Sequence, residues 1–186
     1  MKKKAGKKPK KTGRQAKFNI YISGERAFSN SKEAFSLYNQ SRFGEPIKGK
    51  IHYSFAEAFF LFEKEKVNVS LGKKRLNHDS FMKEAIIHEP NFWTRYAVYS
   101  DLRSRGYIVK SALKFGADFR VYDKGVKPGQ DHARWIVYPV YESSSSTWHE
   151  FAAKNRVAHS TKKNLLIAIV DDEGDVTYYE VKWLKP

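Results

Sequence analysis

Tyr122, His132 and Lys163, all in the second half of the chain, have side chains that suit proton transfer beside an anion. A histidine with an ordinary pKa of about 6.5 can donate or accept a proton near neutral pH, and a tyrosine near 10 can do so where its surroundings help. A lysine adds positive charge. Together these groups match RNA cleavage by the RNA's own 2′-hydroxyl, which needs a base, an acid and a cation for the phosphorane. Spacing alone leaves open that the three are ordinary exposed residues.

Each of the three residues lies at the end of a predicted strand. Tyr122 ends the strand predicted for residues 118–122, and His132 closes the loop of residues 123–131. Lys163 precedes a continuous apolar strand predicted for residues 165–170. The loop connects the end of one predicted strand to the start of the next, so we expect its closure to bring Tyr122 and His132 to one sheet edge. Loops between rigid elements are a common place for functional residues.

The rest of the second half alternates helices with short strands. A helix is predicted for residues 91–105, ended by Gly106, and a second helix runs from the Thr147-x-x-Glu150 capping box to about residue 159. Strands are predicted at residues 107–110, 133–141 and 176–183, the last forming a hairpin with residues 165–170 across an acidic turn. This order indicates an α/β sandwich around a sheet.

The first half is predicted to be a smaller module, mainly helical after an opening strand at residues 18–22. Helices are predicted to start at Ser31, at the Ser54-x-x-Glu57 capping box and at Asp79. Residues 43–46 indicate a turn, and residues 48–50 a basic loop before a strand at residues 51–53. Pro90 is the predicted hinge, because the residue before a proline is pushed out of helical geometry. We therefore predict an α/β (α+β) protein with domains at residues 18–90 and 91–186.

Positive charge is concentrated at the amino terminus. The formal net charge is +15, and residues 1–17 contain nine Lys or Arg and no acid. With almost no apolar residues, this tail is predicted to be disordered when free and to act as a nucleic-acid arm, because a polyanion releases counterions on contact. A solubilising extension is the alternative. Lys48 and Lys50, in the basic loop, are predicted to contact the same kind of ligand.

The composition excludes several other chemistries. Without cysteine there are no disulfides, thiolate nucleophiles or thiolate metal sites. No apolar run reaches 18 residues and the amino terminus lacks a secretory signal, so we expect an intracellular protein with no membrane span. The other histidines lack metal-ligand spacing. A set like that of metal-dependent restriction nucleases is formed by Asp175, Glu180 and Lys182. We interpret it as part of an ordinary hairpin.

The second half also contains a series of longer motifs. They are residues 107–110 (YIVK), residues 114–122 (KFGADFRVY), Gly129-x-x-His132, residues 156–163 (RVAHSTKK) and the hairpin through Gly174-Asp175. These motifs strongly resemble the catalytic domain of archaeal-type tRNA-splicing endonucleases, over roughly residues 91–186. The first module, through Gly44-x-Pro46 and Ser54-x-x-Glu57-Ala58, resembles that family's amino-terminal domain less specifically. The resemblance implies a restriction-endonuclease-like α/β/α fold for the catalytic domain.

The resemblance also implies roles for the three site residues. Tyr122 is implied as the base, His132 as the acid and Lys163 as the cation of a reaction without metal or cofactor. Precursor tRNA would be cut at the intron boundaries of a bulge-helix-bulge, leaving 2′,3′-cyclic phosphate and 5′-hydroxyl ends. Arg156 and Trp183 are the candidates for pinching a flipped base, with a solvated helix turn and a core or interface aromatic as the plainer alternatives.

The acidic turn at residues 171–175 stands out in so basic a chain. The resemblance implies that it docks into a basic pocket of a partner subunit, whereas a solvated hairpin tip is the alternative. The expected assembly is a heterotetramer of two catalytic and two structural chains, with a homotetramer possible. A non-catalytic RNA-binding or structural subunit is the competing hypothesis. The proposed interface residues are Asp171, Asp172, Glu173 and Asp175.

Overall fold

The computed structural model describes residues 17–129 and 131–184, which form two modules, each built on a β-sheet. The predicted basic tail lies outside the described residues except for Lys17. The first module comprises β1 (Phe18–Ser23), β2 (Arg26–Ser29), α1 (Lys32–Ser41), β3 (Glu45–Ile47), β4 (Lys50–Tyr53), α2 (Phe55–Glu63), β5 (Val67–Leu71), β6 (Lys74–Arg75) and α3 (His78–His88). The second comprises α4 (Phe92–Ser104), β7 (Ile108–Ser111), a 3₁₀ turn (Leu113–Phe115), β8 (Phe119–Tyr122), β9 (Trp135–Tyr141), α5 (Trp148–Ser160), β10 (Asn164–Val170) and β11 (Val176–Val181). Across the described ranges, no helix is long and apolar enough to cross a membrane.

The sheet of the first module has six strands in the order β3-β4-β2-β1-β5-β6, with β1 and β5 parallel and the other neighbours antiparallel. Two of these strands, β1 and β4, were predicted from the sequence and the other four were missed, so the module contains more strand than was expected. Strands β2 and β6 are too short to show a clear alternation of apolar residues, and β5 was overlooked. Pro46 made residues 43–46 look like a turn, but β3 is an edge strand, where a proline need not donate to the ladder.

The helix starts of the first module follow the predicted caps closely. Ser31 accepts from the backbone N–H of Ala34 at the start of α1. Ser54 and Glu57 form the predicted capping box of α2. The third helix begins at His78, one residue before the predicted start at Asp79, because Asn77 is its N-cap. Side-chain caps are local interactions, which is why sequence placed these boundaries within a residue or two.

The second sheet has five strands in the order β11-β10-β9-β8-β7, and only its β9–β10 pair runs parallel among the described strands. Along β9, Trp135 and Val137 belong to the apolar cluster that contains the inner face of α4. Ile136 and Tyr138 belong to a separate cluster with Ala158 of α5. The two helices therefore cover opposite faces of the sheet, which confirms the predicted α/β sandwich.

The two modules share one apolar core. The predicted boundary at Pro90 falls between α3 and α4, and buried residues on both sides of it form a single cluster. The ring of Phe59 in α2 meets the rings of Phe92 and Tyr96 in α4 edge-on, at centroid distances of 5.6 and 4.8 Å. Such aromatic pairs add to the stabilisation from buried area, so the modules are packed together rather than loosely linked.

A buried ion pair also joins the modules. Lys110 of β7 is 4% exposed and Glu57 of α2 is 6% exposed. The ammonium of Lys110 lies 2.9 Å from Oε1 of Glu57 and donates to the carbonyl of Gly44 at 2.6 Å. Glu57 in turn accepts from the backbone N–H of Gly44 and from that of Ser54. The charges are therefore paired and also hydrogen-bonded, as buried charges must be to be tolerated.

Replacing Lys110 by methionine is expected to lower the free energy of unfolding by about 3–5 kcal/mol, because Glu57 is left buried without its cation. Guanidinium unfolding followed by circular dichroism measures the change. Lys114→Met makes the same replacement at an exposed lysine of the same module, where we expect less than about 0.5 kcal/mol. Equal losses for the two variants would contradict this role of the ion pair.

Candidate active site

Three neighbouring strands of the second sheet end at one edge. Val121 of β8 lies opposite Trp135 of β9, which lies opposite Asn164 of β10. Because β8 is antiparallel to β9 and β10 is parallel to it, the carboxyl end of β8 and the amino ends of β9 and β10 share this edge. Tyr122 directly follows Val121, and Lys163 directly precedes Asn164. Their backbones are therefore two strands apart, roughly 10 Å.

The loop after β8 returns His132 to the same edge. The backbone N–H of Arg134 donates to the carbonyl of Val121, and that of Asn164 donates to the carbonyl of Arg134. These bonds extend the pairing to residue 134, two residues after His132. His132 itself is exposed, and its backbone N–H donates to the carboxylate of Asp131 at 2.6 Å.

The three predicted catalytic side chains line one open cavity of about 360 Å³. Tyr122 is 5% exposed and packs against Ile108 and Ala133, so it belongs to the wall of the cavity. His132 is exposed at its mouth. A larger cavity of about 810 Å³ beside α1 contains none of these residues, and we take the smaller one as the candidate site because it gathers groups that can transfer protons. The lining is completed by Arg120, Gly129, Asp131 and Ala133.

Lys163 occupies the short connection between α5 and β10. Its ammonium donates to the carbonyl of Thr161 at 2.6 Å. Partial burial lowers the pKa of Lys163, and the positive charge of Arg120 lowers it further. Both causes disfavour the charged amine. An anion bound in the cavity would be stabilised by Arg120 and Lys163, and it would in turn favour the charged form of Lys163.

Sequence reasoning missed Arg120. It lies two residues before Tyr122 on β8, so both side chains point to the same face of the sheet. Its Nη2 lies 3.7 Å from Oε1 of Glu45, in β3 of the first module. The two-residue spacing from Tyr122 was a signal available in the sequence, but the proximity to Glu45 was not, because it depends on how the modules pack.

Neither Arg156 nor Trp183 is among the described residues that line this cavity. Arg156 is exposed on α5. Trp183 is 58% exposed, and its ring meets that of His159 edge-on at a centroid distance of 4.0 Å. Because residues three apart on a helix are neighbours, Arg156 lies on the same side of α5 as His159. The structure thus brings the predicted base-pinching pair to one region near the end of α5.

The two predicted RNA-binding lysines lie in the β3–β4 hairpin. Lys48 is exposed in its turn with a φ of 46°, and the ammonium of Lys50 lies over the ring of Phe28 at 4.4 Å. Neither side chain lines the cavity. The hairpin begins at Glu45, whose carboxylate faces Arg120 at the cavity. The lysines are therefore on a hairpin whose first residue lies near Arg120, although neither lysine lines the cavity.

The acidic turn is a compact structure closed by one of its own side chains. The carboxylate of Asp171 accepts from the backbone N–H groups of Glu173 and Asp175, at 3.1 and 2.8 Å. The carboxylate of Asp172 accepts from the hydroxyl of Tyr141. Asp172, Glu173 and Asp175 are exposed. Asp171 therefore shapes the turn, while the other three acids present negative charge to solvent.

Glu180, part of the set that is similar to a metal-dependent nuclease site, is held by two neighbouring strands. Its carboxylate accepts from Nε1 of Trp135 at 3.2 Å and from Nδ2 of Asn164 at 2.8 Å. Lys182 lies 3.5 Å from the same carboxylate. Glu180 therefore has a structural partner on β9 and another on β10. Both partners, Trp135 and Asn164, are among the paired residues from which the positions of Tyr122 and Lys163 follow.

The two-module α/β fold and the position of Tyr, His and Lys at one sheet edge agree with what the family resemblance of the motifs implied. Residues 19–82 match the family model described as tRNA intron endonuclease, N-terminal domain. Residues 92–178 match the model described as tRNA intron endonuclease, catalytic C-terminal domain. The chain belongs to the tRNA intron endonuclease family, which confirms the predicted resemblance and the two-domain α/β class.

Several archaeal relatives carry the name tRNA-splicing endonuclease. The relative from Thermococcus kodakarensis is 43% identical over 167 residues, covering 89% of this chain and 98% of the relative. That from Pyrococcus horikoshii is 42% identical over 167 residues, covering 89% and 96%. That from Methanothermobacter thermautotrophicus is 36% identical over 150 residues, covering 81% and 87%. The similarity therefore spans both modules.

Arg120→Gln is expected to raise the pKa of Lys163 toward its ordinary value of 10.5, because the repulsion from the guanidinium is removed while the burial remains. Nuclear magnetic resonance titration of ¹³C-methylated lysines measures this pKa, with Lys163→Arg assigning the resonance. Arg105→Gln, which removes a positive charge from the end of α4, is the control and is expected to leave the pKa of Lys163 where it is. An unchanged titration in Arg120→Gln would contradict the coupling.

Proposed function

We propose that this chain is the catalytic subunit of a tRNA-splicing endonuclease that cuts precursor tRNA at both intron boundaries without a metal ion. The observation that carries the proposal is the single cavity lined by Tyr122, His132 and Lys163. The names of the relatives support the substrate class, and their similarity extends over the module that carries the cavity. The bulge-helix-bulge form of the substrate is part of the proposal.

The proposed reaction uses the RNA's own 2′-hydroxyl as nucleophile. Tyr122, as its phenolate, accepts the hydroxyl proton as the 2′-oxygen bonds to the adjacent phosphorus. His132, as its imidazolium, gives a proton to the departing 5′-oxygen as the P–O5′ bond breaks, and Lys163 stabilises the charge on the phosphorane oxygens. The products are a 2′,3′-cyclic phosphate and a 5′-hydroxyl. The exposed position of His132 suits protonation of a strand that leaves the cavity, whereas the buried position of Tyr122 suits contact with the attacking side.

The region near the end of α5 is the proposed contact for an unpaired base. The ring of Trp183 contacts that of His159 edge-on, yet more than half of the Trp183 side chain is exposed. Its exposed surface can therefore stack on a base. Arg156, on the same side of α5, supplies a planar cation for the opposite face of the base. Lys48 and Lys50 in the β3–β4 hairpin are proposed to contact phosphates farther along the RNA.

The exposed acids of the turn are proposed to dock into a basic pocket of a second subunit. The support is charge: Asp172, Glu173 and Asp175 form a rigid acidic projection on a chain with a net charge of +15. A partner with a basic pocket is complementary to this projection. We propose a heterotetramer of two catalytic and two structural chains, and a homotetramer is the outcome expected if the chain assembles with itself.

His132→Ala is expected to slow cleavage of a bulge-helix-bulge RNA by about 10²–10⁴-fold in excess chelator, because the leaving oxygen loses its acid. The assay is single-turnover cleavage, with and without a candidate partner subunit, followed by analysis of the RNA ends. His149→Ala, at an exposed histidine near the start of α5, is the matched control and is expected to cut at the wild-type rate.

Three results would oppose the proposal. A requirement for added magnesium would favour metal-dependent cleavage. Undiminished cleavage by His132→Ala would remove the proposed acid. Salt-sensitive RNA binding without any cleavage, even with a partner present, would favour the non-catalytic RNA-binding alternative.

Glu173→Gln combined with Asp175→Asn is expected to reduce assembly, because it removes two exposed charges while the turn uses only backbone atoms of these two residues. Sedimentation velocity at several protein concentrations measures the change. Glu25→Gln combined with Asp79→Asn removes two exposed acids from the first module and is the control for net charge. Unchanged assembly of the turn variant would contradict the docking role.

A further inference from the structure

Arg120 is the second cation of the cavity, and the roles proposed for Tyr122, His132 and Lys163 do not use it. It lines the cavity with these three residues. On β8 it shares a face with Tyr122, and its cross-strand partner on β7 is Lys110. Its position is therefore fixed by an interior strand of the second sheet, which is paired on both sides, and by a neighbour that is itself anchored in a buried ion pair.

The guanidinium of Arg120 includes a buried donor that has no hydrogen-bond partner among the described residues. Its closest acid is Glu45, at 3.7 Å from Nη2, beyond the length of a good hydrogen bond. Glu45 has a side chain that is 54% exposed, so solvent weakens the pair. The Nε of Arg120 is buried and has no hydrogen-bond partner among the described residues. An arginine carries five N–H donors, and a buried donor without a partner is costly, so a ligand that supplies acceptors would be stabilised here.

The charges around the cavity indicate the kind of ligand. Arg120 and Lys163 are close enough for the first to lower the pKa of the second. Asp131 also lines the cavity, but its carboxylate accepts from the backbone N–H of His132. A phosphate presents two non-bridging oxygens, which a planar guanidinium can bind in a bidentate manner and an ammonium cannot.

We propose that Arg120 is a substrate-binding residue that holds the phosphate to be cut, exchanging the distant carboxylate of Glu45 for the two non-bridging oxygens. Arg120 thereby fixes the orientation of the phosphorus relative to Tyr122 and His132, while Lys163 remains for the charge that develops during the reaction. This inference rests on the proposed function, because it concerns the same site and the same RNA.

The test compares binding of an RNA that carries a 2′-deoxy nucleotide at the cut and so lacks the nucleophile. Binding by Arg120→Gln is expected to be roughly tenfold to a hundredfold weaker, as for loss of hydrogen bonds to a charged group. The magnitude of the slope of log affinity against log salt concentration is expected to decrease by the amount that corresponds to about one phosphate contact. Arg120→Lys keeps the charge but not the fork, so it is expected to keep the salt slope and still bind more weakly.

Two matched variants separate binding from structure. Glu45→Gln removes the acid that faces Arg120 and is expected to bind as well as the wild type or more tightly. If Arg120 served only to hold Glu45 and the first module, Glu45→Gln would weaken binding as much as Arg120→Gln, and the proposal would be overturned. Arg105→Gln removes one exposed positive charge from α4 and is expected to change affinity by less than about twofold.

Cleavage of the all-ribose RNA, measured in parallel, keeps this proposal distinct from the proposed function. A wild-type protein that binds the RNA but never cuts it, with or without a partner, would overturn the proposed function, and the binding series would still decide the role of Arg120. A wild-type protein that cuts the RNA, with Arg120→Gln binding and cutting equally well, would overturn the role of Arg120 alone. Guanidinium unfolding checks that each variant folds. If Arg120→Gln does not fold, the comparison of Arg120→Lys with the separate variant Glu45→Gln decides the question.

Discussion

The buried ion pair between Lys110 and Glu57 fixes how the two modules meet, and the geometry of the site depends on that contact. Lys110 also binds the carbonyl of Gly44, so the start of β3 is held against β7. Gly44 has a φ of 73°, and a Cβ atom there would come within 2.3 Å of Ile51, so a side chain would push this segment away. Since Lys110 pairs with Arg120 across the strands, the same contact brings Glu45 to the cavity.

This anchoring explains the contrast between the two sides of the cavity. Tyr122 and Arg120 belong to a central strand with neighbours on both sides, whereas His132 follows a loop of nine residues and is exposed. A rigid wall can orient a phosphate, and an exposed histidine at the mouth can reach a departing oxygen. Partial burial and the neighbouring charge of Arg120 lower the pKa of Lys163, so an anion that binds in the cavity would favour the charged form of this lysine.

Local interactions account for what sequence reasoning placed correctly. The caps at Ser31, Ser54 and Thr147 involve residues three apart, and the apolar run of β10 is continuous, so each can be identified within a short window. Four of the six strands of the first sheet were missed for the opposite reason. Its strands have as few as two residues and gain their stability from partners distant in the chain, such as β1 with β5, which no short window contains.

The sequence by itself determined the residue types of the site, the helix boundaries and, through its motifs, the family. It did not determine that Tyr122, His132 and Lys163 share a cavity, since that follows from the row of Val121, Trp135 and Asn164 across three strands. The tertiary structure alone revealed the place of Arg120 beside them. Cross-strand register and the packing of one module on another arise from contacts between residues far apart in the chain, and one sequence read along its length contains no distances between them.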